Sequence, residues 1–278
     1  MNYSLSNMLG RRMALASLDP DAKGYIDAVV AAGGTVSGGQ KSAINTFYKT
    51  GKSDGWYSSL KRLYLPIWGV AAPNAIDMIG LTSGTFVGGV THSSGYVTGN
   101  GLTGYFDTGV DPVTLGHTNA TGLLIALTYI SSVQTSGGML SCAELLGANP
   151  ITSLQLGTNE TVGHLHQISG RLRYTEPGGA ADRVGIYTVS RTATNAIEMR
   201  RRRTAGAIQL VSGTSTTVAA STRNLYAMAS NYATIASIFN SSSFGLYGAG
   251  LGMSSATQDQ LSASLKTMWE GATGLTLP

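Results

Sequence analysis

The sequence predicts a mainly β protein: an antiparallel sandwich or barrel with a helical part at its N-terminal side and one late helix. Three observations predict it. Charged residues make up only 12% of the 278 and Gly numbers 37, a composition that favours short strands and tight turns over helices. Short β-rich runs bounded by Gly, Ser, Asn or Thr recur from about Asn74 onward. Helical periodicity is confined to residues 19–66 and to a stretch of about 255–270.

Residues 1–18 mix polar and apolar positions without a period and read as an arm. Asp19 is placed to cap a helix with Pro20 at its first position. Tyr25, Ile26, Val29 and Val30 form its apolar stripe, and Gly33-Gly34 stops it. A second helix begins after Gly38-Gly39 and carries Ile44, Phe47 and Tyr48. In "GWYSSLKRLYLPIWG", Trp56, Leu60, Leu63 and Tyr64 fall on one face of a third helix, which Pro66 ends. The expected division is an arm at 1–18, a helical subdomain at 19–73 and a sandwich at 74–278.

Around ten strands follow, among them "GLLIALTYI", "SLQLGT", "GHLHQI", "RVGIYTVSR" and "SFGLYGAGL". In "RLRYTE", Leu172 and Tyr174 share one face and Arg171 and Arg173 the other. In "NAIEMR", Ile197 and Met199 oppose Glu198 and Arg200. The closing helix shows Ser255 and Gln258 at capping-box spacing, then Leu261, Leu265 and Met268, with Gly271 as its end.

Charge points to one place. Lys plus Arg is 18 and Asp plus Glu is 14, so Arg200–Arg203 make up the whole excess of +4. A nucleic-acid surface, which spreads its basic residues over a face, is not expected. Four consecutive arginines in a core strand would turn two inward at a large desolvation cost. "EMRRRRTAG" therefore reads as the outgoing end and tip of a hairpin. The expectation is that Arg200, Arg201, Arg202 and Arg203 dock on an acidic neighbour and that their replacement by Ser leaves folding intact. Cys142 is the one cysteine, which excludes an intrachain disulfide. The N-terminal stretch has no apolar signal core, and Leu123–Ile130 is too short to span a bilayer, so a soluble chain without membrane insertion is expected.

No catalytic or metal-ligating set emerges. The one acidic pair spaced i, i+2 is Asp19 and Asp21, at a helix start where capping explains it. His164 and His166 share a strand face and read as rim histidines, with His92 and His117 in separate loops. Asp107 and Asp111 read as turn formers rather than calcium ligands. "GGTVSGGQKS" lacks the spacing of a phosphate-binding loop. No cofactor is expected.

Four segments carry a resemblance: "SAINTFYKTGKSDGWYSSLKRLYLPIWG", "FVGGVTHSSGYVTGNGLTGYFDTGVDP", "IYTVSRTATNAIEMR" and "FGLYGAGLGMSSATQDQLSASLKTMWEG". In that order they resemble the concanavalin A-like lectin/glucanase (LamG-like) jelly-roll domain of tailed-bacteriophage virion proteins. The resemblance implies a two-sheet jelly roll, a virion location after assembly in the host cytoplasm, and a non-enzymatic structural or adhesive role in a tail fibre or a head or tail decoration. It implies other virion proteins as partners, a homo-oligomer such as a trimer, and host-surface glycan as a ligand. Tyr96, Tyr105, Tyr226, Tyr232 and Tyr247 are the stacking candidates by residue type. A carbohydrate-active enzyme on the same sandwich is the alternative.

Overall fold

The computed structural model describes residues 17–130, 136–143, 151–157, 160–167, 172–175, 177, 182–214, 218–232 and 234–277. Helix α1 spans Pro20–Ala31, capped by Asp19, whose carboxylate accepts from the Asp21 N–H. Helix α2 spans Gly38–Ser53 behind a capping box in which Ser37 and Gln40 each accept the other's backbone N–H.

Strand β1 (Leu60–Tyr64) follows a single 3-10 turn, Tyr57–Ser59. Here the structure corrects the expected third helix. Leu60 and Leu63 do pack toward the helices, but Tyr64 points into the opposite core. The apolar spacing of so short a segment fits either period. Pairing decides it, because β1 completes the free side of a central strand. A short helix α3, Ala71–Asn74, then leads into the sandwich.

Two sheets form it. The first has the order β13 (Gly206–Gly213), β12 (Ala196–Arg203), β11 (Gly185–Ala193), β6 (Gly122–Ile130), β17 (Ser243–Gly250), β4 (Tyr96–Gly99) and β3 (Val90–Ser93), with β1 beside β4 on the same side of β17. The second has the order β10 (Leu172–Thr175), β9 (Glu160–Gln167), β8 (Ile151–Gly157), β7 (Ser136–Ala143), β14 (Tyr226–Ala227), β5 (Tyr105–Asp107) and β2 (Thr85–Val87). A hairpin of β15 (Ser230–Tyr232) and β16 (Ile235–Ser237) adds to it, with β15 parallel to β7. The remaining pairings among the described residues are antiparallel. The mainly β sandwich with an N-terminal helical part and a C-terminal helix is thus present. The strands outnumber the ten expected because several have only two to four residues, too few for alternation to show.

The central strands of the first sheet, β11, β6 and β17, are buried along most of their length on both faces, whereas the edge strand β13 is partly exposed. Leu124, Ala126, Tyr187, Val189 and Met199 meet Phe106, Leu140, Leu154 and Leu165 of the second sheet. Leu123, Ile125, Leu127, Ile186 and Leu246 meet Tyr25, Val29, Phe47, Trp56, Leu265 and Trp269 on the other side. The layers are therefore sheet, sheet, helices.

Helix α4 (Ser255–Thr273) completes the third layer against α2. Its N-cap is Ser254, which accepts from the Thr257 N–H, one residue before the expected cap. Gln258 does not reach back to a cap. It is buried, accepts from Thr188 Oγ1 and donates to the Met253 carbonyl. The helix runs on past Gly271, which lies close to Ala43 of α2, and ends at a left-handed Gly274. Gly245 of β17 leaves room for the Trp269 indole, whose N–H donates to the Gly95 carbonyl at 2.9 Å.

Asp77 ties β1 to the turn that follows α3. Its fully buried carboxylate accepts from the backbone N–H groups of Leu63 (2.8 Å), Ile79 (3.0 Å) and Gly80 (2.7 Å). Burial pushes this carboxyl above the usual range, although the three N–H donors and Arg62 oppose the shift. Asp77→Ala orphans three donors and is expected to cost about 3 kcal/mol or more in urea unfolding. Asp77→Asn keeps an acceptor for Leu63 and Ile79 and is expected to cost roughly half as much.

Candidate functional site

The four arginines lie within β12, not at a tip; the turn is Thr204-Ala205. Alternation sends Arg200 and Arg202 toward α4, and Arg201 and Arg203 the other way. Arg200 donates through Nε and Nη2 to the Asp259 carboxylate (2.9 and 2.7 Å) and through Nη1 to Glu198 (2.5 Å). Arg202 donates to Ser262 Oγ and to the Asp259 carbonyl, both at 2.9 Å. Arg201 is 4% exposed; it donates to the Asp182 carbonyl and Tyr187 Oη, with its guanidinium 5.8 Å from the ring centres of Tyr174 and Tyr187. Arg203 pairs with Asp182 at 3.0 Å.

This corrects the exposed-tip expectation and the exclusion of a buried arginine. Desolvation forbids an unpaired buried guanidinium, not one with carbonyl, hydroxyl and aromatic partners. The partners come from residues 174, 182, 187, 259 and 262, and only folding brings them to β12. The same contacts give Arg201 a structural role, so a serine there is expected to lower stability.

Beside the arginines lies an open groove of about 560 Å³. Its walls are the β11–β12 turn, the end of β13 and the first turn of α4. Thr192, Asn195 and Thr214 stand exposed in it, with no hydrogen bond from their side chains to the described chain. Glu198 lines it and accepts from Ser255 Oγ at 2.6 Å. Ser190 Oγ, underneath, donates to the Met253 carbonyl and accepts from its N–H, holding the entry to α4. The two nearby carboxylates, Glu198 and Asp259, are both held by Arg200. A second cleft of about 380 Å³ opens at Trp68, where the α1–α2 loop, the β3–β4 turn and the end of α4 converge.

The tyrosine candidates do not share a site. Tyr247 is fully buried between the sheets and is corrected to a core residue; burial holds its phenol well above the usual range. Tyr226 is also buried and stacks on the half-exposed Tyr105, 4.6 Å between ring centres, on the outer side of the second sheet. Tyr96 leans on Tyr129, which in turn packs on Trp269 of α4. Tyr232 is partly exposed in β15. Neither groove is lined by any of the five. The sequence reading passed over Trp68, Asn195 and Thr192; the "TATN" turn between two alternating runs was the available signal for the last two.

His166 is corrected from the rim to the interior. A register shift between Ile151 and Thr152 accompanies a left-handed His166 (φ 55°), and its ring is fully buried. It meets the buried His117, 5.2 Å between ring centres, and accepts or donates through Nδ1 with Thr152 Oγ1 at 3.0 Å. Both His117 ring nitrogens and His166 Nε2 lack a hydrogen-bond partner among the described residues. Burial lowers His117 to about 4. Burial first, then the charges of His117 and Arg191, lower His166 to about 3. Asp107 and Asp111 behave as read, accepting from the Gly109 and Thr114 N–H groups in tight turns. Among the described residues no three His, Cys, Asp or Glu side chains gather to hold a metal ion.

No protein-family model matches the chain, and no curated protein matches it in sequence. Solved structures do match its fold. A sialidase of Trypanosoma rangeli is 10% identical, with a TM-score of 0.52 over 81% of this chain. A structure of botulinum neurotoxin type C, described as depending on two ganglioside molecules for cell entry, is 10% identical, with a TM-score of 0.50 over 77% of this chain. The chain spans 39% and 53% of those two chains, respectively. What is shared is the sandwich.

Arg201→Ser is expected to lower stability by about 2–4 kcal/mol in urea unfolding, by leaving its buried partners unmatched. Arg203→Ser, whose ion pair is partly exposed, is expected to cost under about 1 kcal/mol. Stability is also expected to fall with pH. The unfolded histidines protonate near 6.5, while the folded pair resists down to about 4 and about 3. The contribution is full above about pH 6.5 and is lost as pH drops through that window. Urea midpoints from pH 7.5 to 4.5 check this, and His117→Gln is expected to flatten the slope.

Proposed function

We propose that the chain is a lectin-like module that binds glycan at the sandwich rim, and that it does so as a structural component of a tailed-bacteriophage particle. The observation that carries the glycan reading is the groove beside β12. Thr192, Asn195 and Thr214 offer it uncommitted hydroxyl and amide groups, which is what a polyhydroxylated ligand needs in place of water.

The electrostatics select among polar ligands. A phosphate at the first turn of α4 would meet the Glu198 carboxylate already hydrogen-bonded there. A neutral sugar hydroxyl can donate to that carboxylate instead. Acid–base hydrolysis would require a carboxyl group free to exchange protons with a substrate. Glu198 and Asp259 are instead clamped by Arg200, which favours binding over cleavage.

The particle assignment is supported by the four resembling segments in their order, and it brings with it other virion proteins and further copies of this chain as partners. Several copies on one particle would turn a weak rim site into avid attachment. The fold likeness contributes the sandwich and no ligand.

Host-surface polysaccharides printed as an array test the reading. The chain is expected to retain a subset, and Thr192→Ala with Asn195→Ala is expected to weaken retention about tenfold or more while the unfolding midpoint stays put. A blank array contradicts glycan binding. Absence of the chain from purified particles contradicts the virion placement.

A further inference from the structure

The geometry points to a second carbohydrate subsite at Trp68, built for an uncharged pyranose whose apolar face lies on the indole. It rests on the glycan-binding reading but uses a different part of the molecule. Of the three tryptophans, Trp56 and Trp269 are at most 1% exposed, whereas Trp68 is only partly buried and lines the cleft.

That ring is held in place. Its N–H donates to Tyr25 Oη at 3.2 Å, and the Trp68 backbone N–H donates to Asn74 Oδ1 at 2.8 Å. Tyr25 is itself fully buried, so the indole is anchored to the core of the helical layer. A large aromatic fixed at the wall of a 380 Å³ cleft is a preorganised stacking surface.

The rest of the cleft supplies hydrogen bonding without charge. Thr35 Oγ1 and Ser94 Oγ make no hydrogen bond within the described chain. Gln40 gives its carbonyl oxygen to the Ser37 N–H, which orients the amide and leaves its Nε2 donors for a ligand. Among the described residues no ionisable side chain lines the cleft, so phosphate, sulfate and metal cations find no counter-charge from them. An apolar face together with hydroxyls that need neutral donors and acceptors describes a neutral sugar ring.

The frame is rigid. Gly95 donates to the Ile67 carbonyl and accepts from the Trp269 indole. It adopts a φ of 111°, and a Cβ there would displace Leu275.

The full chain labelled with ¹⁵N-tryptophan tests this, since it shows one indole resonance per tryptophan. It is titrated with maltotetraose, cellotetraose, N-acetylated chitotetraose and galactotetraose. With at least one of them the Trp68 resonance is expected to shift saturably while those of Trp56 and Trp269 hold still. Trp68→Ala is expected to weaken that affinity tenfold or more, and Trp68→Phe less. The Thr192→Ala, Asn195→Ala variant is expected to keep the Trp68 shift. If the array retains neutral glycans but none of the four sugars moves Trp68, the subsite is wrong and the rim reading stands. If the array is blank and Trp68 does not move, both fall.

Discussion

The central strands of the first sheet, β11, β6 and β17, are buried along most of their length on both faces, and the rest of the molecule follows from that. Along β6, Leu123, Ile125 and Leu127 point one way while Leu124 and Ala126 point the other, and none is accessible. Each fully buried leucine or isoleucine contributes roughly 1.5–3 kcal/mol. One face is covered by the second sheet. The other requires a layer of its own, assembled by α1 and α2 from one end of the described chain and α4 from the other. The helices are thus part of the sandwich's core, and β1 enters the same sheet from within the helical lead-in.

Both concave sites arise where that helical layer ends. Helix α4 begins at Ser254, and the β11–β12 turn and the end of β13 frame an open groove beside its first turn. The arginines of β12 hold this geometry: Arg200 and Arg202 bind the Asp259 side chain and carbonyl in the second turn of α4, and Glu198 reaches Ser255 in the first. At the opposite end of α4, the α1–α2 loop and the β3–β4 turn enclose Trp68. The charge run that stands out in the sequence is therefore scaffolding for a neutral polar surface.

What was legible in the sequence was local. Asp19-Pro20 and the Gly-bounded second helix announce themselves through caps, and the inward Ile197 and Met199 through alternation. What was not legible depends on partners distant in the chain. Leu60 to Tyr64 became a strand because β17 needed a neighbour. His166 turned inward because a register shift reversed its face, bringing it to a histidine 49 positions earlier. Arg201 could be buried because Tyr174, Asp182 and Tyr187 surround it. Tyr247 lies in the core for the same reason: burial is set by the layer that covers a residue, which residue type does not encode. Of the arm expected at residues 1–18, residues 1–16 lie outside the described residues.

The central claim is that glycan binds on the helix-covered side of the sandwich, not on the outer face of the second sheet where Tyr105, Tyr226 and Gln155 lie. Hydrogen–deuterium exchange with and without a retained glycan tests it most directly. The account predicts added protection at residues 192–198 and 212–214, and around Trp68 for a neutral sugar. Protection confined to residues 105–107, 153–155 and 226–232 would contradict it.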